Sequence, residues 1–294
     1  MEPPSPFKPN LARLRQHLAE VARERNFETS PRVLSEIQSY LEEELASYGF
    51  VVRKEPFRFS GQDFDNLIAS LDPNPKKPRV LIGAHFDSVS GSPGADDNAS
   101  GVAALLEAAR IYAQSKRQGE ITIEFAGFNL EEYGMIGSQA YAEKLKREKV
   151  RFLGMISLEM VGYTSQEKGS QKMPLFLKPF YPNVGNFLGL VANTRSVKWL
   201  DQVKQIFSEV EGLPMESLAL PANGWIFPEV RLSDHSPFWD HGFPALLVTD
   251  TSFFRNPHYH SAEDRIETLD LDFLAKVTEA TGRLALDLAS LPAV

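Results

Sequence analysis

Residues 80–106 read VLIGAHFDSVSGSPGADDNASGVAALL, and this stretch decides the fold. Its first part, residues 80–84, is an unbroken apolar run, which is typical of a strand buried on both faces of a sheet. From Ala99 to roughly Ser115 the residues are mostly small or apolar, which predicts a helix packed closely on that sheet. The polar segment between them therefore follows the end of a buried strand and precedes a helix.

Strand-like and helix-like segments alternate on both sides of this stretch, as they do in α/β proteins. The patterns predict further strands at 51–57, 65–71, 121–128, 152–158 and 244–249 and helices at 11–21, 31–49, 136–146, 197–210 and 271–288. Residues 163–185 carry Gly, Pro and aromatic residues without periodicity, which indicates an ordered functional loop. We expect a three-layer α/β sandwich with a central, mostly parallel mixed sheet flanked by helices. We also expect one domain over residues 1–294, with a short helical N-terminal region (about 1–50) packed on it.

Composition limits what the protein binds. The chain has 294 residues and a formal net charge of −8, which argues against nucleic acid as a partner because phosphate binding needs a basic surface. It has no cysteine, so any zinc must be bound by His, Asp and Glu. No apolar run approaches the roughly 18 residues of a membrane span. Residues 1–6 lack the features of a signal peptide, so the sequence as it stands predicts a cytoplasmic protein, or a secreted or periplasmic one if a leader has been removed.

Five polar clusters along the chain supply the oxygen and imidazole ligands that zinc prefers. They are His85 with Asp87, Asp96 with Asp97, Glu131 with Glu132, Glu159, and His260. Each lies where a predicted strand ends or a loop begins. Their order, spacing and context predict a two-metal site and a hydrolytic reaction.

The first two clusters each have a structural alternative. Two residues apart on an extended strand, His85 and Asp87 point to the same face, so Asp87 can accept the imidazole N–H and leave the other nitrogen for metal. The alternative is a solvent-facing pair at a strand tip. Asp96 and Asp97 precede a helix, whose N-terminus can hold a carboxylate. An ordinary helix cap explains one of these residues but not the whole polar run.

The remaining clusters divide between metal binding and proton transfer. Adjacent residues at a strand end diverge, so one of Glu131 and Glu132 can bind metal while the other takes a proton from water. Glu159 repeats the pattern after another apolar strand. His260 has a competitor in His258, and spacing alone does not separate the two.

These residues resemble the co-catalytic di-zinc aminopeptidases of metallopeptidase family 28, whose relatives include glutaminyl cyclases. The matching strings are GAHFDS (83–88), GADDNASG (94–101), NLEEYG (129–134), LEM (158–160), SDH (233–235) and YHS (259–261). They occur in the family's order and span most of the chain. The resemblance implies a fold similar to that of the zinc exopeptidases and two zinc ions.

The resemblance also implies a role for each residue. The metal ligands would be His85, Asp97, Glu132, Glu159 and His260. Asp97 would bridge the two ions, Asp96 would lie outside the ligand set, Asp87 would orient His85 and Glu131 would be the general base. Asp234 would have a supporting role. Members of the family often carry Asp where this chain has Glu159, and the longer side chain still supplies a carboxylate.

By this resemblance the protein is a zinc-dependent exopeptidase, specifically an aminopeptidase that acts on peptides with a free N-terminus. Two ions about 3.5–4 Å apart would activate a bridging water. Loop residues that would form an apolar side-chain pocket are Leu175, Phe176, Phe180, Trp225, Phe227 and Phe253. The alternatives are a glutaminyl-peptide cyclase with a single zinc, a non-catalytic binding protein, and a carboxypeptidase. The carboxypeptidase would need a basic group, for which the candidates are Arg195, Arg231 and Arg255. The oligomeric state is left open.

Overall fold

A computed structural model describes residues 8–115 and 119–290. The helices are α1 (Leu11–Val21), α2 (Pro31–Ser47), α3 (Gly101–Gln114), α4 (Ile136–Arg147), α5 (Val197–Phe207), α6 (His235–Asp240) and α7 (Leu271–Ala289). The strands are β1 (Val51–Phe59), β2 (Gln62–Ser70), β3 (Arg79–His85), β4 (Thr122–Phe128), β5 (Phe152–Glu159), β6 (Leu188–Asn193), β7 (Met215–Leu220) and β8 (Ala245–Thr249). Most predicted elements are confirmed within a few residues. The sequence did not predict β6, β7 or α6.

The eight strands form one mixed sheet in the order β1-β2-β4-β3-β5-β8-β6-β7. β1 and β2 are an antiparallel hairpin, and β2 is antiparallel to β4. The centre, β4-β3-β5-β8, is parallel throughout. β6 is antiparallel to β8 and parallel to β7. The carboxyl ends of the central strands therefore meet at one edge, where α/β proteins bind ligands.

Helices cover both faces of the sheet, which confirms the predicted three-layer sandwich. On one face, α1, α2, α3, α5 and α7 bury their apolar stripes in a single large core. On the other, α4 and α6 pack with residues of the loops at 163–187 and 221–232 in a second, smaller core. The one-domain interpretation agrees with this arrangement but stays a prediction.

Local signals explain where the helices begin. The Asn10 side chain accepts hydrogen bonds from the backbone N–H groups of Ala12 and Arg13 and so caps α1. Asp270 caps α7 in the same way. Pro31 is the first residue of α2, where its fixed φ suits a helix and its missing N–H costs nothing. None of the helices in the described ranges combines the length and apolarity needed to cross a membrane.

Candidate metal centre

Two groups of potential metal ligands lie side by side at the carboxyl edge of the sheet, and both include Asp97. The first group is His85, Asp97 and Glu159, and the second is Asp97, Glu132 and His260. In the first, Nε2 of His85 lies 3.3 Å from Oδ1 of Asp97 and 3.4 Å from Oε2 of Glu159. In the second, Nε2 of His260 lies 3.1 Å from Oδ2 of Asp97 and 3.2 Å from Oε2 of Glu132.

Asp97 presents one oxygen to each histidine. With one oxygen toward each histidine, Asp97 would be able to contribute a ligand atom to each of the two groups. The neighbouring Asp96 belongs to neither group. Its oxygens accept hydrogen bonds from the backbone N–H of Gly162 (2.9 Å) and the side-chain amide of Asn256 (2.7 Å). Among the described residues, Asp96 therefore holds the loop in place and lies outside both ligand groups.

The turn that carries Asp97 is fixed by a distant carboxylate and not by a helix N-terminus. Asp264 accepts hydrogen bonds from the backbone N–H groups of Asp96 (2.9 Å) and Asp97 (3.0 Å). α3 begins only at Gly101, whose N–H donates to Oδ1 of Asn98 at 3.1 Å. Among the described residues, the carboxylates of Asp96 and Asp97 contact Gly162, Asn256 and the two histidines instead of the N–H groups that begin α3, so the expected contact with the helix N-terminus is not observed.

Asp87 ties two of the polar clusters together. One of its oxygens lies 3.4 Å from Nδ1 of His85, the nitrogen that faces away from the ligand group. The two oxygens also accept hydrogen bonds from the backbone N–H groups of Glu131 (3.1 Å) and Glu132 (3.2 Å). A single buried carboxylate thus holds an imidazole and the following acidic pair in fixed positions.

Ser233 fixes the carboxylate of Glu159. Its hydroxyl donates to Oε2 of Glu159 at 2.9 Å and lies 3.1 Å from the hydroxyl of Ser157. Asp234, the next residue, is fully buried beside His85 and Glu159, and this burial raises its pKa to about 7. The predicted supporting role of this segment agrees with these contacts, although the contribution of Ser233 was not predicted.

Arg25 anchors the loops around the site from the N-terminal region. Its fully buried guanidinium donates to the carbonyl oxygens of Phe86 (2.8 Å), Pro93 (2.7 Å) and Gly94 (3.0 Å), and Asp97 is one of its nearest negative charges. An arginine bound by backbone carbonyls keeps its charge and adds positive potential beside the acidic cluster. Sequence reasoning missed Arg25 because it lies in an ordinary charged segment.

The electrostatics of the site fit a bound cation. Burial and the neighbouring charge of Asp97 raise the pKa of Glu132 to about 7. Burial likewise raises the pKa of Glu159. Burial alone would lower the pKa of His260, but hydrogen bonds to Asp97 and Glu132 raise it to about 10. Carboxylates crowded in a buried pocket repel one another, and a divalent cation bound among imidazole and carboxylate ligands removes that repulsion.

Backbone strain concentrates at the same place. Leu130, Met160 and His260 have φ values of 58°, 48° and 56°, in the left-handed region that non-glycine residues rarely adopt. Leu130 directly precedes Glu131, and Met160 directly follows Glu159. His260 is itself in a ligand group. Strain of this kind persists where the surrounding structure imposes it, most often at functional sites.

The structure places some predicted residues elsewhere. His260, and not its competitor His258, lies in a ligand group. Arg255 is buried and donates to Phe187 O (2.7 Å) and Gln171 Oε1 (2.9 Å), while Arg231 is paired with Asp240 (2.6 Å). Among the described residues, no arginine or lysine lines the cavity at the metal site. The basic group that a carboxypeptidase would need is therefore missing from its wall.

A cavity of about 310 Å³ adjoins the ligand groups and is lined by Asp97, Glu131, Glu132, Glu159 and His260 at one end. Of the aromatic and apolar loop residues expected to form a pocket, only Phe227 and Phe253 line it. The other four point to solvent, with exposed fractions from 57% to 81%: Leu175, Phe176, Phe180 and Trp225. That part of the prediction is wrong, because composition shows that a loop is apolar but not which way its side chains face.

Comparisons with known proteins agree with this geometry. The profile of peptidase family M28 matches residues 66–285. The Escherichia coli K12 protein described as uncharacterized protein YfbL is 34% identical over 261 residues, which cover 84% of this chain and 78% of that protein. Leucine aminopeptidase 1 of Blastomyces gilchristii is 28% identical over 249 residues, which cover 81% of this chain but only 59% of the fungal enzyme.

Two solved structures share the fold. The LapA aminopeptidase of Legionella pneumophila superimposes with a TM-score of 0.76 at 21% identity, covering 96% of this chain and 73% of that one. A glutaminyl cyclase of Porphyromonas gingivalis gives a TM-score of 0.69 at 22% identity, covering 95% and 96%. At these identities the likeness shows the fold alone, and the fold does not separate peptide hydrolysis from cyclisation.

The sandwich, the paired ligand groups and the family match together define a metallopeptidase, an enzyme that hydrolyses peptide bonds. Within that class, this chain belongs to peptidase family M28.

Proposed function

We propose that this chain is a zinc-dependent aminopeptidase that removes the N-terminal residue of peptides. The observation that carries the proposal is the pair of complete ligand groups sharing Asp97, with Glu131 beside them and in neither. Their imidazole and carboxylate ligands are those that zinc takes in catalytic sites. One ion would be held by His85, Asp97 and Glu159, and the other by Asp97, Glu132 and His260.

Zinc ions bound in this way polarise a scissile carbonyl and lower the pKa of water. The chain's own residues would do the rest. Burial raises the pKa of Glu131 well above its usual range, and the charges of Glu159 and Glu132 add to that shift. Glu131 lines the cavity beside both ligand groups without belonging to either, so it is placed to take a proton from the attacking water and deliver it to the departing amine. The acidic wall of the site would bind the substrate's α-ammonium group.

Specific observations weigh against the alternatives. A cyclase with a single zinc needs only one ligand group, whereas this chain has two. The absence of arginine and lysine from the described cavity wall disfavours a carboxypeptidase. A binding protein would have no need for Glu131 beside two intact ligand groups.

The function is tested with a substrate panel before and after chelation. We expect hydrolysis of unblocked aminoacyl anilides, its loss when the metal is chelated, and its recovery when zinc is restored. N-blocked dipeptides and glutaminyl peptides serve as the comparison substrates. Cleavage of blocked dipeptides would instead indicate a carboxypeptidase, and release of a pyroglutamyl product would indicate a cyclase.

We expect His260→Ala to lower the zinc content from two ions per chain to about one. The substitution removes the only imidazole of the second ligand group and leaves the first intact. His258→Ala is the matched control, since this histidine lies two residues away and in neither group. Metal analysis of the purified variants checks both expectations. An unchanged zinc content in His260→Ala would count against the assignment.

A further inference from the structure

The cavity beside the metal site extends along one row of paired residues in the sheet. Glu159 of β5 is paired with Thr249 of β8, Thr249 with Gly189 of β6, and Gly189 with Glu216 of β7. All four line the cavity. Since neighbouring strands lie about 4.8 Å apart, the three steps separate the two glutamates by roughly 14 Å at the backbone. This row of paired residues forms the floor of the cavity. Glu159, a predicted metal ligand, and Glu216, a second carboxylate, lie at its opposite ends.

Between these ends the floor is open and apolar. Gly189 adds no side chain, and a Cβ there would lie 3.2 Å from the carbonyl oxygen of Thr249. The next row of paired residues that faces the cavity consists of Leu247, Val191 and Leu218. Apolar residues of the covering loops, among them Met173 and Leu177, line the cavity as well. The space suits a long hydrocarbon chain that runs from the metal end toward β7.

The far end carries a carboxylate that forms no ion pair with the described residues. Glu216 is half-buried and, among the described residues, no Lys, Arg or His lies within ion-pair distance of its carboxylate. Its charge reaches the cavity wall, where it is among the causes that raise the pKa of Tyr181, after burial. A carboxylate facing a partly dry, apolar space gains most from a cation that enters that space.

We propose that this cavity binds the side chain of an N-terminal lysine or arginine, with Glu216 as the residue that determines specificity by pairing with its charged head. The inference rests on the proposed aminopeptidase function. A fully extended lysine or arginine side chain carries its charge about 6–7 Å from Cα, counting bonds of about 1.5 Å. With the α-amine held at the metal end, the stem lies over the apolar floor; the roughly 6–7 Å of the substrate side chain, about 4 Å of the Glu216 side chain and a hydrogen bond of about 3 Å together span the roughly 14 Å between the two ends.

The test compares lysyl and norleucyl 4-nitroanilides, whose side chains have stems of similar length and differ in the ammonium group. We expect the wild-type protein to show a kcat/KM about tenfold higher for lysine, the ratio typical of one partly solvated ion pair. In Glu216→Gln this ratio falls to about one. Glu211→Gln is the matched control, because it removes the same charge from an exposed position that does not line the cavity, and it keeps the wild-type ratio.

A wild-type preference for norleucine, or a lysine preference that survives in Glu216→Gln, would overturn the proposal. Failure of the aminopeptidase function itself would look different, because no unblocked anilide would be cleaved. In that event calorimetry with free L-lysine and L-norleucine decides. Tighter binding of lysine, lost in Glu216→Gln, supports the pocket, and equal binding of the two amino acids contradicts it.

Discussion

Replacing Glu131 by glutamine is expected to lower kcat by about 10²–10⁴-fold, the range for loss of a general acid–base group. The amide has nearly the same shape and remains polar, so the cavity wall is preserved. It has no basic oxygen of comparable strength and cannot accept the proton of the attacking water. Since Glu131 lies in neither ligand group, the zinc content should stay at two ions per chain.

Two measurements on Glu131→Gln separate proton transfer from metal binding. Metal analysis should give the wild-type stoichiometry, and steady-state kinetics should show that the loss is in kcat. Glu131→Asp is a useful companion variant, because it keeps a carboxylate but withdraws it from the reacting atoms. We expect its activity to lie between those of the wild-type protein and Glu131→Gln. Near-full activity in the glutamine variant would remove Glu131 from the role of base.

Asp97→Asn is expected to lose zinc from both positions and to reduce activity by about 10³-fold, because two sites are each weakened by about 10–100-fold. Loss of a group that merely orients a ligand costs about 10–100-fold in metal affinity or activity. Asp97 faces both histidines, so its replacement weakens two sites at once. The asparagine amide offers one oxygen in place of two. It also has no negative charge to balance the positive charges of the two ions.

Asp96→Asn is the matched control for Asp97→Asn. The two residues are adjacent and both are buried, so the same change is made in the same turn. Asp96 accepts hydrogen bonds from Gly162 and Asn256 and faces no histidine, so we expect its variant to keep both ions and to lose thermal stability instead. Equal loss of zinc in the two variants would contradict the bridging role of Asp97.

The sequence predicted the fold class and the sites of the polar clusters because both depend on local patterns. The apolar run before His85 identifies a buried strand, and acidic or imidazole groups directly after such runs must gather at one edge of a parallel sheet. The grouping of His85, Asp97 and Glu159 around one ion came from the resemblance to metallopeptidase family 28, since spacing along the chain does not specify which ligands share a metal. The divergence of adjacent residues at a strand end predicted different roles for Glu131 and Glu132, and the resemblance predicted which of the two is the ligand.

What the sequence did not predict depends on contacts between distant segments. β7 has polar residues and only six positions, and its strand conformation follows from pairing with β6. Asp264 and Arg25 act on the turn of Asp97 through hydrogen bonds to the backbone, which leave no trace in residue spacing. The row from Glu159 to Glu216 is set by the pairing register of four strands, which come from separate parts of the chain.

The position of β8 has a consequence for the newly made protein. β8 lies between β5 and β6 in the sheet, yet it is synthesised after both of them and after β7. Until it emerges from the ribosome, β5 presents an open edge with unpaired backbone groups, a known route to aggregation. His260 follows β8, so the second ligand group is completed later still. A nascent chain therefore completes both ligand groups only after the last strand has been inserted.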